Sequence, residues 1–466
     1  MSKLNKDVLI LILEELEDDI KSLYSCLLVN KTWCKIIVPI LWKNFLKNLK
    51  EEEKSINIIL SHLSNEVKEN LKDQGINLNS IILRQIPLFD YISFCKYFDL
   101  FRLENIFSKI NNIEETKISI IKNEILKLFI NRNTMYTYLF ISQQCNLPIH
   151  LIPDAKYCFS ELKFLHCYGN IKKDTLKGLA RISKSIKKLI LEFSNNNSGA
   201  IKLIDTQKNL CDVIFNRLMT NDESFCKVFE ELLIKHVDTI KYLKINWMPV
   251  TRSILYLVNL KSLEIDSFYY SNWTNCSYLE NLSLPSLKFL KVKRISSKIL
   301  VNLIENTRGL LTEICIDREG DNNKDLIQAI YENCPKLKYL KLIFNNYNIL
   351  ELKNLLINCQ YLSGLIIILG NELDWNNLFK ILTDSSPINL YKFKIFFTCY
   401  KGPKVESLEL FFENWKGKNR NPMLLQTSYS TLKYFNLTEK YKAEGIIKKY
   451  YHNLSESTFE NFEWLD

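Results

Sequence analysis

The chain has 466 residues, a length that suits several domains or one extended array of repeats rather than a single compact core. Hydrophobic residues make up 47% of it and only 11 Gly and 10 Pro occur, so the composition excludes a disordered or linker-rich protein. The net charge of +10 is mild over this length, because nucleic-acid-binding proteins usually concentrate basic residues in one stripe or patch.

The 13 cysteines are an odd number and include no C-x-x-C pair. The longest early apolar run, residues 8–13, is too short for a signal-peptide core and far too short to span a bilayer. These features predict a reducing compartment, the cytoplasm or the nucleus, with free thiols buried as small hydrophobic side chains. We expect no membrane contact.

Three short helices are predicted near the start of the chain, over residues 7–16, 20–29 and 31–38. Apolar side chains of the first recur at three- and four-residue spacing, and either Asn5 or Asp7 can cap it. Pro39 is predicted to end the third helix, because proline cannot donate to the helical hydrogen-bond ladder. So small a core leaves surplus apolar surface, which we expect to pack against the rest of the chain or a partner. An ordinary helical cap is the simpler interpretation from periodicity alone.

The same stretch resembles the F-box motif. The family pattern is roughly L-P-x-D/E-[VIL]-L, then spaced leucines, then V-N/C-[KR]-x-W, then L-W. The match is carried by Leu4, Asp7, Val8, Leu9, Ile12, Leu16, Ser22, Leu23, Cys26, Leu27, Val29, Asn30, Trp33, Cys34, Pro39, Ile40, Leu41 and Trp42. Asn5 stands where the family usually has proline, which changes how the first helix begins and weakens one expected adaptor contact.

The resemblance implies that residues 1–46 form an F-box. F-boxes dock on the small adaptor subunit of SCF-type cullin–RING ubiquitin ligases. By resemblance, the side chains expected to line or support that interface are Leu4, Val8, Leu9, Ile12, Leu16, Leu23, Leu27, Val29, Trp33, Pro39, Leu41 and Trp42.

Residues 47–155 are predicted to be a helical linker that caps the first repeat after it. One amphipathic set lies at residues 56–63. Residues 91–98 are predicted to form a buried helix, and residues 118–129 another.

From residue 156 to residue 466 the chain repeats an L-x-x-L-x-L unit, whose apolar positions alternate as in a short strand packed on one side. The copies begin at Leu162, Ile186, Leu210, Ile240, Leu260, Leu287, Leu311, Leu337, Leu362, Leu390 and Leu432. Most spacings lie in or near the range of about 20–29 residues that is typical of leucine-rich repeats. Helical patterns precede several strands, as at residues 326–331 and 352–356.

The predicted fold class is therefore α/β: a three-helix F-box, a helical linker and a curved leucine-rich-repeat solenoid with a parallel sheet on its concave face. The repeats resemble those of the F-box/leucine-rich-repeat protein family, although the usual asparagine after the strand is often missing. A generic α/β domain with parallel strands is the alternative, and the near-constant period argues against it.

The residues between the apolar positions are predicted to point to the concave face in columns that run across the strands. The first column is rich in aromatic residues, and the charges of the second change sign between repeats, whereas a phosphate track needs mostly positive charge. We therefore expect a protein ligand. The candidate target-binding residues are Phe164, Tyr242, Lys244, Phe289, Lys291, Tyr339 and Lys341.

Catalytic motifs are missing from the sequence. It contains no G-x-x-x-x-G-K-[ST] or G-x-G-x-x-G loop, and its five histidines show no metal-binding spacing. Cys158 and Cys167 lie near His166, but a nucleophilic cysteine also needs a positioned base and an oxyanion site. We expect no enzyme active site, no metal and no cofactor.

Three functions remain open. The resemblance favours a substrate receptor of an SCF-type ligase, which binds the adaptor through the F-box and a target protein through the repeats. The alternative is a protein-binding scaffold that does not promote ubiquitination. A basic nucleic-acid or membrane-surface module is disfavoured, because acidic residues alternate with the lysines at Glu264, Asp266, Glu313 and Asp317.

Overall fold

The computed structural model of the protein describes residues 5–46, 52–76, 87–108, 114–144, 147–193, 197–217, 223–266, 277–317, 323–369, 374–397, 402–418, 420–452 and 454–464. The chain divides into two compact units, residues 1–228 and 229–466. Both units are built of parallel strands with helices between them.

The first unit begins with helices and continues with strands. Its helices are α1 (Lys6–Glu14), α2 (Ile20–Leu27), α3 (Lys31–Lys43), α4 (Glu52–Ser61), α5 (Asn65–Asp73), α6 (Leu100–Phe107), α7 (Glu115–Phe129), α8 (Ala155–Cys158), α9 (Lys173–Ile182), α10 (Ser198–Asp205) and α11 (Glu223–Leu233), which crosses the division between the units. Its strands are β1 (Tyr97–Asp99), β2 (Tyr138–Ser142), β3 (Phe164–Tyr168), β4 (Lys188–Phe193) and β5 (Asp212–Arg217). They pair in parallel and in chain order.

The second unit repeats strand and helix from β8 onward, and 3-10 turns (Arg252–Tyr256 and Ser277–Asn281) lie between its first three strands. Its strands are β6 (Tyr242–Ile245), β7 (Ser262–Asp266), β8 (Phe289–Lys293), β9 (Glu313–Asp317), β10 (Tyr339–Phe344), β11 (Gly364–Leu369), β12 (Lys392–Phe396), β13 (Met423–Thr427) and β14 (Ile447–Tyr451). Its helices are α12 (Ser297–Glu305), α13 (Lys324–Asn333), α14 (Ile349–Asn358), α15 (Trp375–Ser385), α16 (Val405–Gly417) and α17 (Leu432–Ala443). These strands also pair in parallel and in chain order.

The repeat pattern sets the core. In β4, Leu189 and Leu191 are fully buried, whereas Lys188 and Ile190, which alternate with them, are half-buried on the other face. Because side chains alternate across a strand, the second and third apolar residues of each copy point toward the helices. The ten copies that begin at Leu162 to Leu390 all coincide with strands β3 to β12. The predicted α/β fold with leucine-rich-repeat-type units is confirmed.

The prediction of an eleventh repeat strand at Leu432 is wrong. Leu432, Phe435 and Leu437 lie on α17, where the Thr431 hydroxyl caps the helix by accepting from the backbone N–H of Tyr434 at 3.3 Å. Apolar residues three positions apart share a face on a helix as well as fitting the repeat template, so the spacing alone does not separate the two. The strands nearest to it are β13 and β14, which the L-x-x-L-x-L template does not match.

Residues 47–155 contain two strands besides the expected helices. The predicted helix at residues 91–98 is a short 3-10 turn, Ile92–Phe94, followed by β1, while α7 confirms the helix predicted at residues 118–129. β1 pairs with β2, and β2 with β3. Tyr97 of β1 and Tyr138 of β2 are paired in register, so their rings stack.

Pro39 lies inside α3, so the prediction that it ends the helix is wrong. Proline removes one donor from the ladder, yet Ile36, Ile37 and Ile40 around it are buried in the core of the three helices. Tertiary packing of this face outweighs the lost hydrogen bond and carries the helix on to Lys43.

A buried carboxylate fixes the start of the second unit. Glu230 on α11 is 3% exposed, and it accepts hydrogen bonds from Trp247 Nε1 at 2.8 Å and from the backbone N–H and hydroxyl of Thr251 at 2.7 and 2.6 Å. The backbone N–H of Val250 is a further donor at 3.0 Å. Burial raises the pKa of Glu230, although these donors act in the opposite direction. Within the described parts of the chain, no helix is long and apolar enough to cross a membrane.

Candidate interaction surfaces

The first candidate surface is on the three-helix module, which consists of α1, α2 and α3. Its own core is formed by Leu9, Leu13, Leu23, Ile36, Ile37 and Ile40. Side-chain oxygens cap all three helices: Asn5 accepts from Asp7 N at 3.1 Å, Asp19 from Ser22 N at 3.2 Å, and Asn30 from Trp33 N at 3.0 Å. Asn5 is therefore the residue that caps the start of α1.

Large apolar side chains cover the outside of this module. They are Val8, Leu11 and Ile12 on α1, and Tyr24, Leu28 and Val29 on or next to α2. Their exposed fractions lie between 45% for Val8 and 88% for Leu28. Val8, Leu11 and Ile12 are spaced three and four residues apart, so they form one row on α1, beside the row of the buried Leu9 and Leu13.

The sequence-predicted adaptor residues fall into distinct groups in the structure. Val8, Ile12 and Val29 are exposed, whereas Leu9 and Leu23 are core residues, and Leu16, Leu27, Trp33 and Leu41 pack partly buried against that core. Pro39 is half-buried within α3, and Leu4 lies outside the described residues. Leu11, Tyr24 and Leu28 are also exposed and are not among the residues predicted from the sequence. The signal that identifies them is helical spacing: Leu11 is three residues from Val8, and Leu28, which follows α2, is four residues from Tyr24.

Trp42 holds the module to the rest of the first unit. Its ring stacks on Phe45 and on Tyr91, with centroids 4.3 and 4.4 Å apart. The backbone N–H of Lys96, next to β1, donates to the carbonyl of Lys43 at 2.9 Å. Trp42 is thus a contact within the unit.

In the first unit, aromatic rings stack across three strands. The rings of Tyr97 on β1 and Tyr138 on β2 have centroids 3.9 Å apart, and Tyr138 lies 4.3 Å from Phe164 on β3. The ammonium of Lys188 on β4 lies 5.4 Å from the centre of the Phe164 ring. All four are partly exposed, so the predicted site residue Phe164 belongs to a longer aromatic ladder.

In the second unit, the two predicted columns are in register. The first column runs Tyr242, Ser262, Phe289, Glu313, Tyr339, Gly364 and Lys392. The second runs Lys244, Glu264, Lys291, Cys315, Lys341, Ile366 and Lys394. Two of the four lysines in the second column are in ion pairs: Lys244 lies 3.3 Å from Glu264, and Lys341 lies 3.1 Å from Asp317. These pairs neutralise part of the positive charge that a phosphate track would need.

A second chain segment covers part of this face. Residues 454–464, here called the return segment, follow β14 and include the 3-10 turn Glu456–Phe459. Cys315, Lys341, Ile366 and Lys394 are between 0% and 5% exposed, although they point away from the helices. Lys341 was predicted to be available for a target, and the structure instead buries it in an ion pair. Phe289, by contrast, remains 39% exposed.

Lys394 makes the most hydrogen bonds to the return segment. Its ammonium donates to the backbone carbonyls of Thr458, Asn461 and Glu463 at 2.8, 3.1 and 2.6 Å. Burial lowers the pKa of Lys394 to about 8, against the attraction of Glu463, and nearby Lys341 lowers it further. Three carbonyls match the three N–H donors of an ammonium group.

The remaining contacts of the return segment are aromatic and acidic. Phe462 stacks on Tyr339 with centroids 5.4 Å apart, and Trp464 lies 5.0 Å from the Lys394 ammonium. The Glu460 carboxylate pairs with Lys293 at 3.1 Å. Gly364 makes room for the indole, because a Cβ there would lie 2.8 Å from Trp464 Cζ2 and 2.7 Å from Tyr339 Cδ1.

Next to the return segment is a recess of about 200 Å³. Its walls include the candidate residues Phe289 and Lys291, together with Glu313, Glu460 and Phe462. Among the described residues, no group of three or more His, Cys, Asp or Glu side chains is placed to hold a metal ion. His166 and Glu192 form a hydrogen-bonded pair at 2.6 Å.

Comparisons with known proteins add two structural likenesses. No protein-family model matches the chain, and no curated protein matches it. The leucine-rich-repeat-containing protein LegL7 from Legionella pneumophila is 13% identical, over 68% of this chain and 94% of its own, with a TM-score of 0.33. A chain in the crystal structure of the Rad7 and Elc1 complex in yeast is 12% identical, and the match covers 83% of this chain and 92% of that chain, with a TM-score of 0.38. At these values neither likeness says what this chain binds.

Proposed function

We propose that this chain is a substrate receptor of an SCF-type cullin–RING ubiquitin ligase. The three-helix module binds the adaptor subunit, and the exposed faces of the parallel strands hold a target protein. The chain supplies no bond-making residue, and it acts by raising the effective concentration of target lysines near the transferring enzyme.

The observation that carries this proposal is the exposed apolar surface of the three-helix module. Leu11 is 64% exposed and Leu28 is 88% exposed, although the module already has a core of its own. Leaving such side chains in water forgoes about 1.5–3 kcal/mol for each that a partner could bury. A row of this kind on a small helical unit is typical of a protein-binding surface, and the sequence of the same helices resembles the F-box.

Co-purification with an F-box adaptor subunit tests the proposal. The wild-type chain is expected to form a stoichiometric complex, and the double variant Ile12→Glu/Leu28→Glu is expected to lose at least about 30-fold in affinity. Leu350→Glu is the matched control, because Leu350 is also an exposed helical leucine, 68% exposed on α14. A wild-type chain that is folded and does not bind the adaptor would contradict the proposal.

Ubiquitin transfer separates the receptor from the scaffold. If the reconstituted ligase extends ubiquitin chains on a protein captured by the strand faces, the chain acts as a receptor. Adaptor binding without ubiquitin transfer to any captured protein supports the scaffold instead.

A further inference from the structure

The return segment occupies the face of β8–β12 in the way that a bound peptide does. It contacts Lys293 on β8, Cys315 on β9, Tyr339 on β10 and Lys394 on β12. It reaches these strands from beyond the last strand of the unit, since β14 ends at Tyr451. The contacts are hydrogen bonds, ion pairs and ring contacts that a separate chain can make equally well.

The chemistry of the face defines what it accepts. Lys293 takes a carboxylate, the Lys394 ammonium takes three backbone carbonyls, and the Tyr339 ring with the space above Gly364 takes two aromatic side chains. The segment that fills these positions reads F-E-N-F-E-W over residues 459–464. Negative charge and aromatic rings on the segment therefore complement positive charge and aromatic rings on the strands.

The occupant does not fill the whole face. The recess of about 200 Å³ beside Phe462 is bounded by Phe289, Lys291 and Glu313 on the strands and by Glu460 and Asn461 of the return segment. A longer peptide has room there for another side chain, next to an exposed aromatic ring and a lysine.

We infer that the face of β8–β12 is a binding groove for an acidic, aromatic segment of a partner protein, and that the return segment is its occupant in cis. This inference deepens the proposed function by naming the chemistry of the target segment. Its test involves no adaptor, so its failure leaves the adaptor experiment untouched.

The return segment is tethered to the groove and competes with any partner segment for it. A short flexible linker gives an effective concentration in the millimolar range. A partner segment with the same contacts and no others is thus outcompeted at micromolar concentrations. A partner that also fills the recess, or that is held elsewhere on the chain, displaces the return segment.

The experiment uses the full-length chain and a fluorescein-labelled synthetic peptide with the sequence of residues 454–466. In the open variant, Phe462→Ser/Trp464→Ser, the return segment loses both rings and the rest of the chain is unchanged. We expect the peptide to bind the open variant at least about 10-fold more tightly than the wild type, as measured by fluorescence anisotropy. The same peptide with serine at both ring positions is expected to bind neither protein.

One further variant and a folding check keep the result interpretable. Lys394→Met in the open variant removes the donor to three carbonyls and is expected to reduce peptide affinity by about 10-fold or more. An open variant that has a wild-type circular dichroism spectrum and does not bind the peptide overturns the inference.

A second measurement needs no variant. Excess peptide added to the wild-type chain is expected to speed amide hydrogen exchange in residues 458–464 while β10 stays protected. Unchanged exchange at millimolar peptide overturns the inference even if the open variant does not fold.

Discussion

The ring of Phe462 stacks on the ring of Tyr339, with the two centroids 5.4 Å apart. The first residue belongs to the return segment and the second to the column that the sequence predicts as a target-binding surface. The same face is therefore both a predicted binding surface and a surface already in use. The following predictions separate the contributions of its residues.

Gly364→Ala is expected to displace Trp464. The added Cβ would lie less than 3 Å from both the indole and the Tyr339 ring, so at least one of them must move. Trp464 fluorescence, isolated as the difference from a Trp464→Phe chain, is expected to shift to the red. Gly417→Ala is the matched control, because a Cβ at Gly417 meets nothing within 4 Å. An unshifted Gly364→Ala spectrum would show that the indole is not held against this strand.

Cys315 is expected to report release of the return segment. It is 5% exposed, its thiol donates to the Glu460 carbonyl at 3.7 Å, and burial raises the pKa of Cys315 to about 11. Both effects slow alkylation at neutral pH, because the thiolate is the reactive form. In the open variant, iodoacetamide is expected to modify Cys315 about 10-fold faster, as followed by peptide mass spectrometry.

Cys167 supplies the internal control for that labelling. It is fully buried in the first unit, and its modification rate is expected to be the same in the wild type and the open variant. Faster labelling of both cysteines would indicate general unfolding instead of release of the segment.

Binding of the peptide to the open variant is expected to tighten as the pH rises above about 8. Burial lowers the pKa of Lys394 to about 8 when the segment is bound, and in the open groove the ammonium regains water, so its pKa returns toward 10.5. The bound state then holds fewer protons between these two values, so removing protons favours it, and the gain is lost as the pH falls through 8. The neighbouring charges are Glu463 and Lys341. Anisotropy titrations from about pH 7.5 to about pH 9.5 measure this slope.

The Lys394→Met variant tests the origin of the slope. Its peptide affinity, although weaker, is expected to vary little over the same pH range. A slope equal to that of the unsubstituted open variant would assign the effect to another group.

Substitution of Leu9 is expected to lower stability, whereas substitution of Ile12 is expected to weaken adaptor binding and leave stability nearly unchanged. Leu9 is 5% exposed in the core of the three-helix module, so Leu9→Ala should lower the free energy of unfolding of that module by about 2–5 kcal/mol. Ile12 is 49% exposed, so Ile12→Glu should change stability by less than about 0.5 kcal/mol and should still weaken adaptor binding. Urea unfolding and adaptor titration measure the two effects. Equal loss of stability in both variants would contradict the exposed position of Ile12.

Glu230→Gln is expected to destabilise the second unit by about 1–3 kcal/mol. The carboxylate oxygens accept from Trp247, Val250 and Thr251, and an amide nitrogen at one of these positions would face donors. Urea unfolding measures the loss. Glu231→Gln is the control, since Glu231 is exposed on the same helix.

Periodic features of the fold could be predicted from the sequence, and features that join distant segments could not. Leu189 and Leu191 predict β4, because apolar and other residues alternate there, and the same spacing recurs at near-constant intervals along the chain. β13 is buried on both faces and β14 carries three consecutive polar or aromatic side chains after Lys448, so neither shows alternation. Their strand geometry comes from pairing with neighbours.

The candidate sites show the same limit. The sequence identifies the columns to which Tyr339 and Lys341 belong, but burial of Lys341 depends on the return segment and on Asp317. Nothing local to residues 459–464 indicates which strands they contact. Likewise, the F-box resemblance does not separate the buried Leu9 from the exposed Ile12.

The contact between Lys293 and Glu460 joins residues 167 positions apart, whereas the strands themselves pair only with neighbours in chain order. Short-range pairs form early in folding, and a long loop closes only after the surfaces that reward closure exist. The groove of β8–β12 must therefore be assembled before the return segment can close over it. Trp464 fluorescence should rise in the slowest refolding phase. This residue is therefore a reporter of the final folding step in the second unit.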